Sequence, residues 1–187
     1  MRRLTMFNNL TLDGFFSDRN GTTRWAHQRE PDEEWTAFVS DNASGGGALV
    51  FGRITYDEMV RFWPTPEAHK MMPVVARRMN EMPKIVFSRK LAEVTWNNTR
   101  LVKGDPAEEI RKLKKEAGPD LAIMGSGTIV SQLAAAGLID EYQLVINPFI
   151  LGKGRTLFEG LQDQLDLRLV GSRTFKNGNV LVRYEPA

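Results

Sequence analysis

The chain has 187 residues, 42% of them hydrophobic and 26% charged, which predicts one soluble globular domain spanning 1–187 and excludes disorder, collagen and coiled coils. It has no cysteine and only two histidines, which excludes disulfides and thiolate sites and leads us to expect no metal centre. The 25 lysine and arginine residues against 23 acidic ones give a net charge of +2, too small to indicate nucleic acid or a membrane as a partner.

Short apolar runs alternate with helical patterns through the first half of the chain. Trp35, Phe38 and Val39 recur at helical spacing, and Asp32 before them is a suitable N-cap. In chain order we predict a strand at 3–10, a turn at 13–14, a helix at 32–43, a strand at 48–51, a helix from 55 and a helix at 67–80.

The second half continues the same alternation. Asp105, Pro106 and Glu108 form a strong helix start, because a cap precedes a proline and an acidic residue follows three positions on. We predict a strand at 84–87, a helix from 105 that stops near 118, a strand at 121–124, a helix at 128–136, a strand at 142–147 and a hairpin of 167–175 and 180–184.

The predicted order indicates a single α/β domain. Continuously apolar strands that alternate with helices are typical of a mostly parallel sheet with helices on both faces, and the last hairpin adds antiparallel strands at one edge. The basic start of the chain is followed by a run that Asn8 and Asn9 interrupt, and no later run approaches the ~18 apolar residues of a membrane span, so we expect a cytoplasmic protein.

Ligands of open α/β sheets bind outside the carboxyl ends of the strands, and three such ends carry candidate phosphate-binding residues. Gly125, Ser126, Gly127 and Thr128 form a glycine turn into a helix, although Val130 stands where the dinucleotide fingerprint has its third glycine. Taken alone, this segment is better explained as a tight turn without a ligand.

Cations and hydroxyls follow the other two strand ends. Gly52 is followed by Arg53 and Thr55, which suit a phosphate, and Ser88 and Arg89 suit the 2′-phosphate of NADP. A solvated helix start and a surface turn are the alternatives. The chain lacks the P-loop and the G-x-S-x-G motif, which disfavours nucleoside triphosphates and hydrolase chemistry.

Several segments together resemble the dihydrofolate reductase-like superfamily. Residues 9–14 look like its "SLDG" strand end, 51–56 its "MGRxTY" motif, 83–88 its "KIVxS" motif and 123–127 its glycine turn. The stretch 138–154 is similar to the "LVDE…P…LGxG" pattern of the branch that contains the riboflavin-biosynthesis reductase. The resemblance spans nearly the whole chain.

This resemblance implies an NADPH-dependent reductase that delivers hydride to the carbon of a C=N group or of its ring-closed equivalent, in a pterin or a ribosylamino-pyrimidine. Gly52, Arg53 and Thr55 would hold the phosphate region, Ser88 and Arg89 the 2′-phosphate, and residues 125–128 the pyrophosphate. We expect a stand-alone enzyme and, by analogy with relatives, a homodimer.

On the substrate side, the resemblance implies an acidic catalytic group at the helix start, where Asp32 and Glu33 stand. Asn9, Asp13 and Trp25 are the candidate substrate residues. Asp32 is equally explained as an N-cap. Met124 replaces an acidic residue common in riboflavin-pathway reductases, which leaves the substrate open. A protein that binds NADPH or another phosphorylated ligand without turnover is the alternative function.

Overall fold

A computed structural model describes residues 1–27, 32–44 and 46–187 of the chain. Its strands are β1 (Leu4–Thr11), β2 (Phe15–Ser17), β3 (Ala48–Gly52), β4 (Lys84–Phe87), β5 (Thr99–Val102), β6 (Leu121–Met124), β7 (Glu141–Asn147), β8 (Arg155–Thr156), β9 (Leu167–Thr174) and β10 (Val180–Pro186).

Eight of these strands form one sheet in the order β5-β4-β3-β6-β1-β7-β10-β9. The six strands from β5 to β7 run parallel, whereas β10 pairs antiparallel with both β7 and β9. A separate two-stranded sheet joins β2 to β8. The mostly parallel sheet with a C-terminal antiparallel hairpin confirms the predicted fold class.

Helices cover this sheet, and within the described ranges none is both long and apolar enough to cross a lipid bilayer. Residues 24–27 form one 3₁₀ turn. The helices are α1 (Glu33–Ser44), α2 (Arg53–Phe62), α3 (Pro66–Met71), α4 (Pro73–Glu81), α5 (Pro106–Lys115) and α6 (Gly127–Ala135).

Alternation along the strands divides the core between the two faces of the sheet. In β3, Val50 packs in one apolar cluster with residues of α5 and α6, while Phe51 packs in another with residues of α2 and α4. Both side chains are fully buried. Successive strand residues point to opposite faces, so a short apolar run supplies both layers, and each such side chain contributes about 1.5–3 kcal/mol.

The expected helix at 67–80 is wrong in one respect, because the structure has two helices there. Met72 lies between α3 and α4 with φ −139° and ψ 68°, outside the helical region. Pro73 disfavours the helical conformation of the residue before it and is well placed at the first position of a new helix. The periodicity of the segment is therefore real, but its continuity is not.

Three short strands were not predicted: β2, β5 and β8. Strand β5 lies at the edge of the sheet and has four residues, none fully buried. Strands β2 and β8 pair with each other across a long stretch of sequence. Such strands depend on partners that are distant in the chain, and their own patterns are too short to reveal them.

Lys84 is a buried cation in β4 that closes the end of α4. Its Nζ donates hydrogen bonds to the carbonyl oxygens of Met79 at 2.8 Å and Met82 at 2.7 Å. A third bond reaches the carbonyl oxygen of Asn80 at 3.1 Å, and the ammonium lies 4.5 Å from the centroid of the Trp96 ring. The last carbonyl groups of a helix lack partners within it, so Lys84 acts as their donor. Burial lowers the pKa of Lys84 to about 8.

We predict that Lys84 makes the free energy of unfolding rise with pH between about 8 and about 10.5. The folded state loses this proton before the unfolded state does, so the unfolded chain binds more protons in that window and stability increases. The change Lys84→Met should remove this rise and cost about 1–3 kcal/mol at pH 7, because helix carbonyl groups lose their donor.

Chemical denaturation at pH 7, 8, 9 and 10 measures both effects. The exposed Lys103→Met is the control, since it should keep the wild-type slope. If Lys84→Met kept the wild-type pH dependence, the rise in stability would not come from Lys84.

Candidate active site

The carboxyl ends of the six parallel strands lie along one edge of the sheet, which we call the carboxyl rim. Because β4, β3 and β6 are neighbours, the three candidate phosphate-binding segments stand side by side there, as expected. The rim is formed by the last residues of these strands: Val102, Phe87, Gly52, Met124, Thr11 and Asn147.

Two hydrogen bonds join the turn after β3 to the turn after β6. The Gly52 N–H donates to Ser126 Oγ at 2.9 Å, and the Ser126 N–H donates to Thr55 Oγ1 at 3.0 Å. Thr55 and Ser126 are both buried. The exchange uses a main-chain and a side-chain atom of Ser126, so neither turn can move independently of the other.

The turn after β6 requires glycine on both sides of Ser126. Gly125 has φ +60°, and a Cβ there would lie 3.1 Å from Thr55 Cγ2. A Cβ on Gly127 would lie 3.0 Å from Phe16 Cε1. Ser126 itself is left-handed, with φ 58°, and helix α6 begins directly after it. The first N–H groups of a helix have no partner inside it, so this close-packed turn presents main-chain donors at the rim.

The candidate arginines and hydroxyl residues differ in how far their side chains are already paired within the protein. Arg53 Nη1 pairs with Asp57 Oδ2 at 3.0 Å within the first turns of α2. Ser88 Oγ accepts hydrogen bonds from the N–H groups of Lys90 and Leu91, both at 3.1 Å, and so shapes its own turn. Arg89 and Thr128 are exposed. Of the two arginines, Arg89 therefore has the guanidinium that is more readily offered to a phosphate.

Asp13 holds the loop after β7 against the end of β1. Its carboxylate accepts hydrogen bonds from Thr11 Oγ1 at 2.6 Å, from Leu151 N–H at 3.1 Å and from Gly152 N–H at 2.8 Å. The Thr11 hydroxyl lowers the pKa of Asp13 below its usual value, and the two N–H groups add to the effect. The structure thus gives Asp13 an anchoring role, and its predicted contact with a substrate stays a prediction.

Asp32 caps α1 and also ties this helix to the β9–β10 hairpin. Its Oδ1 accepts from the Glu34 N–H at 3.0 Å, and its Oδ2 accepts from the Asn177 N–H at 2.9 Å. Partial burial raises the pKa of Asp32, but the N–H groups of Asn177 and Glu34 outweigh it, and the pKa lies below the ordinary value. Glu33 beside it is exposed. A stabilised carboxylate is poorly suited to storing a proton at neutral pH.

The remaining candidate substrate residues lie at the β1–β7 part of the rim. Trp25 packs edge-on against Phe149, with ring centroids 5.2 Å apart. Asn9 is half-buried, and its Oδ1 accepts a hydrogen bond from Asn147 Nδ2 at 3.1 Å. Sequence reasoning missed Asn147, a fully buried amide at the end of an otherwise apolar strand. A polar amide at the last position of an apolar strand is the sequence signal that indicates such a residue.

A second feature that the sequence did not reveal is a cleft of about 480 Å³ beside the β2–β8 sheet. Residues 18–20 line one side and residues 151–153 the other. Within the described ranges, no group of three or more histidine or acidic side chains is placed to hold a metal ion.

The sheet order and the rim define a dihydrofolate reductase-like α/β protein. The chain belongs to the RibD C-terminal domain family, whose model matches residues 2–181. It is 30% identical over 183 residues to the uncharacterized protein YyaP of Bacillus subtilis, across 98% of this chain and 94% of that one. A second protein of B. subtilis, the uncharacterized YwjB, is 26% identical over 174 residues, across 93% of this chain and 92% of that one.

Solved structures share the fold. A putative riboflavin biosynthesis protein from Shewanella sp. PV-4 aligns with a TM-score of 0.74 and 23% identity, over 100% of this chain and 99% of that one. A deaminase and 5-amino-6-(5-phosphoribosylamino)uracil reductase from Thermotoga maritima aligns with a TM-score of 0.69 and 17% identity, over 100% of this chain and 57% of that one. Membership of the RibD C-terminal domain family supports a reductase.

We predict that Asp32→Ala lowers the melting temperature at pH 7, because helix α1 loses its cap and the hairpin loses its tie. The folded pKa is lowered, so the stabilisation is present above the unfolded value of about 3.9 and is lost as the pH falls through the folded pKa. The deficit should therefore shrink in acid. Thermal unfolding at pH 7 and pH 3 measures it, with Glu33→Ala as the neighbouring control. A wild-type melting temperature in Asp32→Ala at pH 7 would show that the bonds contribute nothing.

Proposed function

We propose that this protein is an NADPH-dependent reductase that delivers hydride to the carbon of a C=N group, or of its ring-closed equivalent, in a pterin or ribosylamino-pyrimidine. The observation that carries the proposal is the joined pair of turns at Gly52 and Ser126. It brings close-packed glycine backbone and the start of α6 together, next to the strand end that is followed by Arg89. Main-chain donors beside a cation suit a dinucleotide phosphate.

In this proposal, different residues of the rim bind different phosphate groups of the cofactor. Residues 125–128 hold the pyrophosphate, because the missing Cβ atoms let the chain approach it closely. Thr55 and Arg53 support the adjoining phosphate region after Gly52. Ser88 and Arg89 face the 2′-phosphate that distinguishes NADPH from NADH. The bound cofactor supplies the hydride, and these side chains hold and orient it.

The substrate lies at the other part of the rim in this proposal, beside Asn9 and Trp25. A reduction of this type also consumes one proton. Asp32 and Glu33 are the acidic residues nearest the start of α1, but the hydrogen bonds to Asp32 favour its ionised form. Asp32 is therefore the poorer of the two candidates for moving a proton, which leaves Glu33 as the other.

One observation favours the alternative of a protein that binds NADPH without turnover. The carboxylates of Asp13 and Asp32 both accept hydrogen bonds from main-chain N–H groups of neighbouring loops. Both carboxylates thus have structural hydrogen bonds, which leave fewer of their lone pairs for contact with a substrate. Consumption of NADPH with dihydrofolate or with the riboflavin intermediate separates the two functions, since a binder consumes none with either.

We also propose that the protein forms a homodimer in solution. Strand β9 lies at the edge of the sheet and exposes Leu167 and Leu169, and an edge strand with exposed apolar side chains is suited to association.

We predict that Arg53→Ala and Arg89→Ala each weaken NADPH binding by about 1.5–3 kcal/mol, the range for a hydrogen bond to a charged group. Arg89→Ala should affect NADPH far more than NADH, because only NADPH has the 2′-phosphate. Fluorescence titration with both cofactors measures the difference. Lys115→Ala, an exposed cation at the far end of α5, should bind both as the wild type does. Equal losses for NADPH and NADH in Arg89→Ala would contradict the 2′-phosphate assignment.

A further inference from the structure

Two asparagines of neighbouring strands meet on the face of the sheet that α1 covers. In the β1–β7 register, Asn9 lies opposite Val145, and Thr11 lies opposite Asn147. Val145 packs with Phe38 of α1 in one apolar cluster, which places this set of alternate residues on the α1 face. The pair therefore lies at the carboxyl rim, on the same side as the start of α1.

The amide of Asn147 can adopt only one orientation. Its Nδ2 lies 3.2 Å from the carbonyl oxygen of Leu10 and 3.2 Å from that of Val145. An oxygen in the same place would face two carbonyl oxygens, so the nitrogen must be there. The third contact of this nitrogen is Asn9 Oδ1 at 3.1 Å. Asn147 is 0% exposed, and these main-chain contacts fix its side chain.

The orientation of Asn9 follows from that of Asn147. Because Nδ2 of Asn147 is a donor, Asn9 must turn its oxygen towards it, and its own NH₂ group then points away from Asn147. Asn9 is only half-buried, and within residues 1–27, 32–44 and 46–187 its NH₂ group has no hydrogen-bond partner. Among the described residues, the Asn9 NH₂ group is therefore an oriented hydrogen-bond donor without an acceptor.

Two buried amide oxygens lie on the same face of the sheet as this donor. Asn179 precedes Val180, which pairs with Ile146, so Asn179 lies beside the end of β7. The Oδ1 atoms of Asn147 and Asn179 are buried and without a hydrogen-bond partner in the described part of the chain. Asn147 and Asn179 are buried, whereas Asn9 is half-buried, so Asn9 is the member of this group that a ligand can contact.

We propose that Asn147 is a positioning residue that orients Asn9, and that the Asn9 NH₂ group binds the carbonyl oxygen of an amide-like group on a ligand ring. The inference rests on the proposed function, which supplies two rings of that chemistry. One is the nicotinamide with its carboxamide, and the other is a substrate ring with a lactam. Either one offers a carbonyl oxygen that can accept a hydrogen bond from the Asn9 NH₂ group.

Binding measurements with three probes test this assignment. The probes are NADPH, 2′-phospho-ADP-ribose, which lacks the nicotinamide, and lumazine, a pteridine with two lactam carbonyls. The change Asn9→Asp keeps an oxygen that accepts the bond from Asn147 and replaces the NH₂ donor with a carboxylate oxygen. We expect it to weaken either NADPH or lumazine at least about tenfold, as for a lost hydrogen bond opposed by a carboxylate, and to leave 2′-phospho-ADP-ribose unchanged. The probe whose affinity falls identifies the ring that Asn9 contacts.

A double-mutant cycle tests whether Asn147 acts through Asn9. Asn147→Ala should weaken the same probe in the wild-type background and have no further effect in the Asn9→Ala background. A purely structural role would give the same loss in both backgrounds and would overturn the positioning role. If thermal unfolding shows that Asn147→Ala does not fold, Asn147→Ser takes its place in the same cycle.

The outcomes also separate this inference from the proposed function. If the wild type binds NADPH, and Asn9→Asp binds both NADPH and lumazine as tightly as the wild type does, the inference is overturned and the proposed function stands. Wild-type protein that fails to bind NADPH and 2′-phospho-ADP-ribose overturns the proposed function and this inference with it.

Discussion

The exchange of hydrogen bonds between Gly52, Thr55 and Ser126 is the constraint on which the rest of the site depends. It locks two strand–helix turns together at the middle of a parallel sheet. The turn after β6 can approach Thr55 and Phe16 so closely only because Gly125 and Gly127 have no Cβ. This contact, added to the pairing of β3 with β6, holds the start of α6 against the start of α2. The candidate phosphate site is therefore a property of the tertiary structure and of neither turn alone.

The two ends of the rim differ in chemistry, and this difference orients the proposed ligands. The β4–β3–β6 part offers glycine backbone and cations, whereas the β1–β7 part offers asparagine amides and aromatic rings. Helix α1 closes the second part: the Trp35 ring packs edge-on against Phe175, with centroids 5.0 Å apart, and Glu34 pairs with Arg173 at 2.8 Å. These contacts bind α1 to the β9–β10 hairpin, which explains why Asp32 has a structural partner in the same hairpin.

The sequence predicted those features whose signals are local. The cap at Asp105 accepts a hydrogen bond from the Glu108 N–H, as the spacing indicated, and the strand-end glycines lie at the rim. The break at Pro73 was missed because helical periodicity continues across it. The pairing of β2 with β8 and the orientation of Asn9 by Asn147 depend on residues more than a hundred positions apart, so no local pattern contains them.

A crystal structure of the protein with NADPH would show which atoms hold the phosphates. We expect the pyrophosphate to lie against main-chain N–H groups of residues 125–128 and the 2′-phosphate to lie beside Arg89. A cofactor bound elsewhere, for example in the cleft between residues 18–20 and 151–153, would overturn the proposed cofactor site.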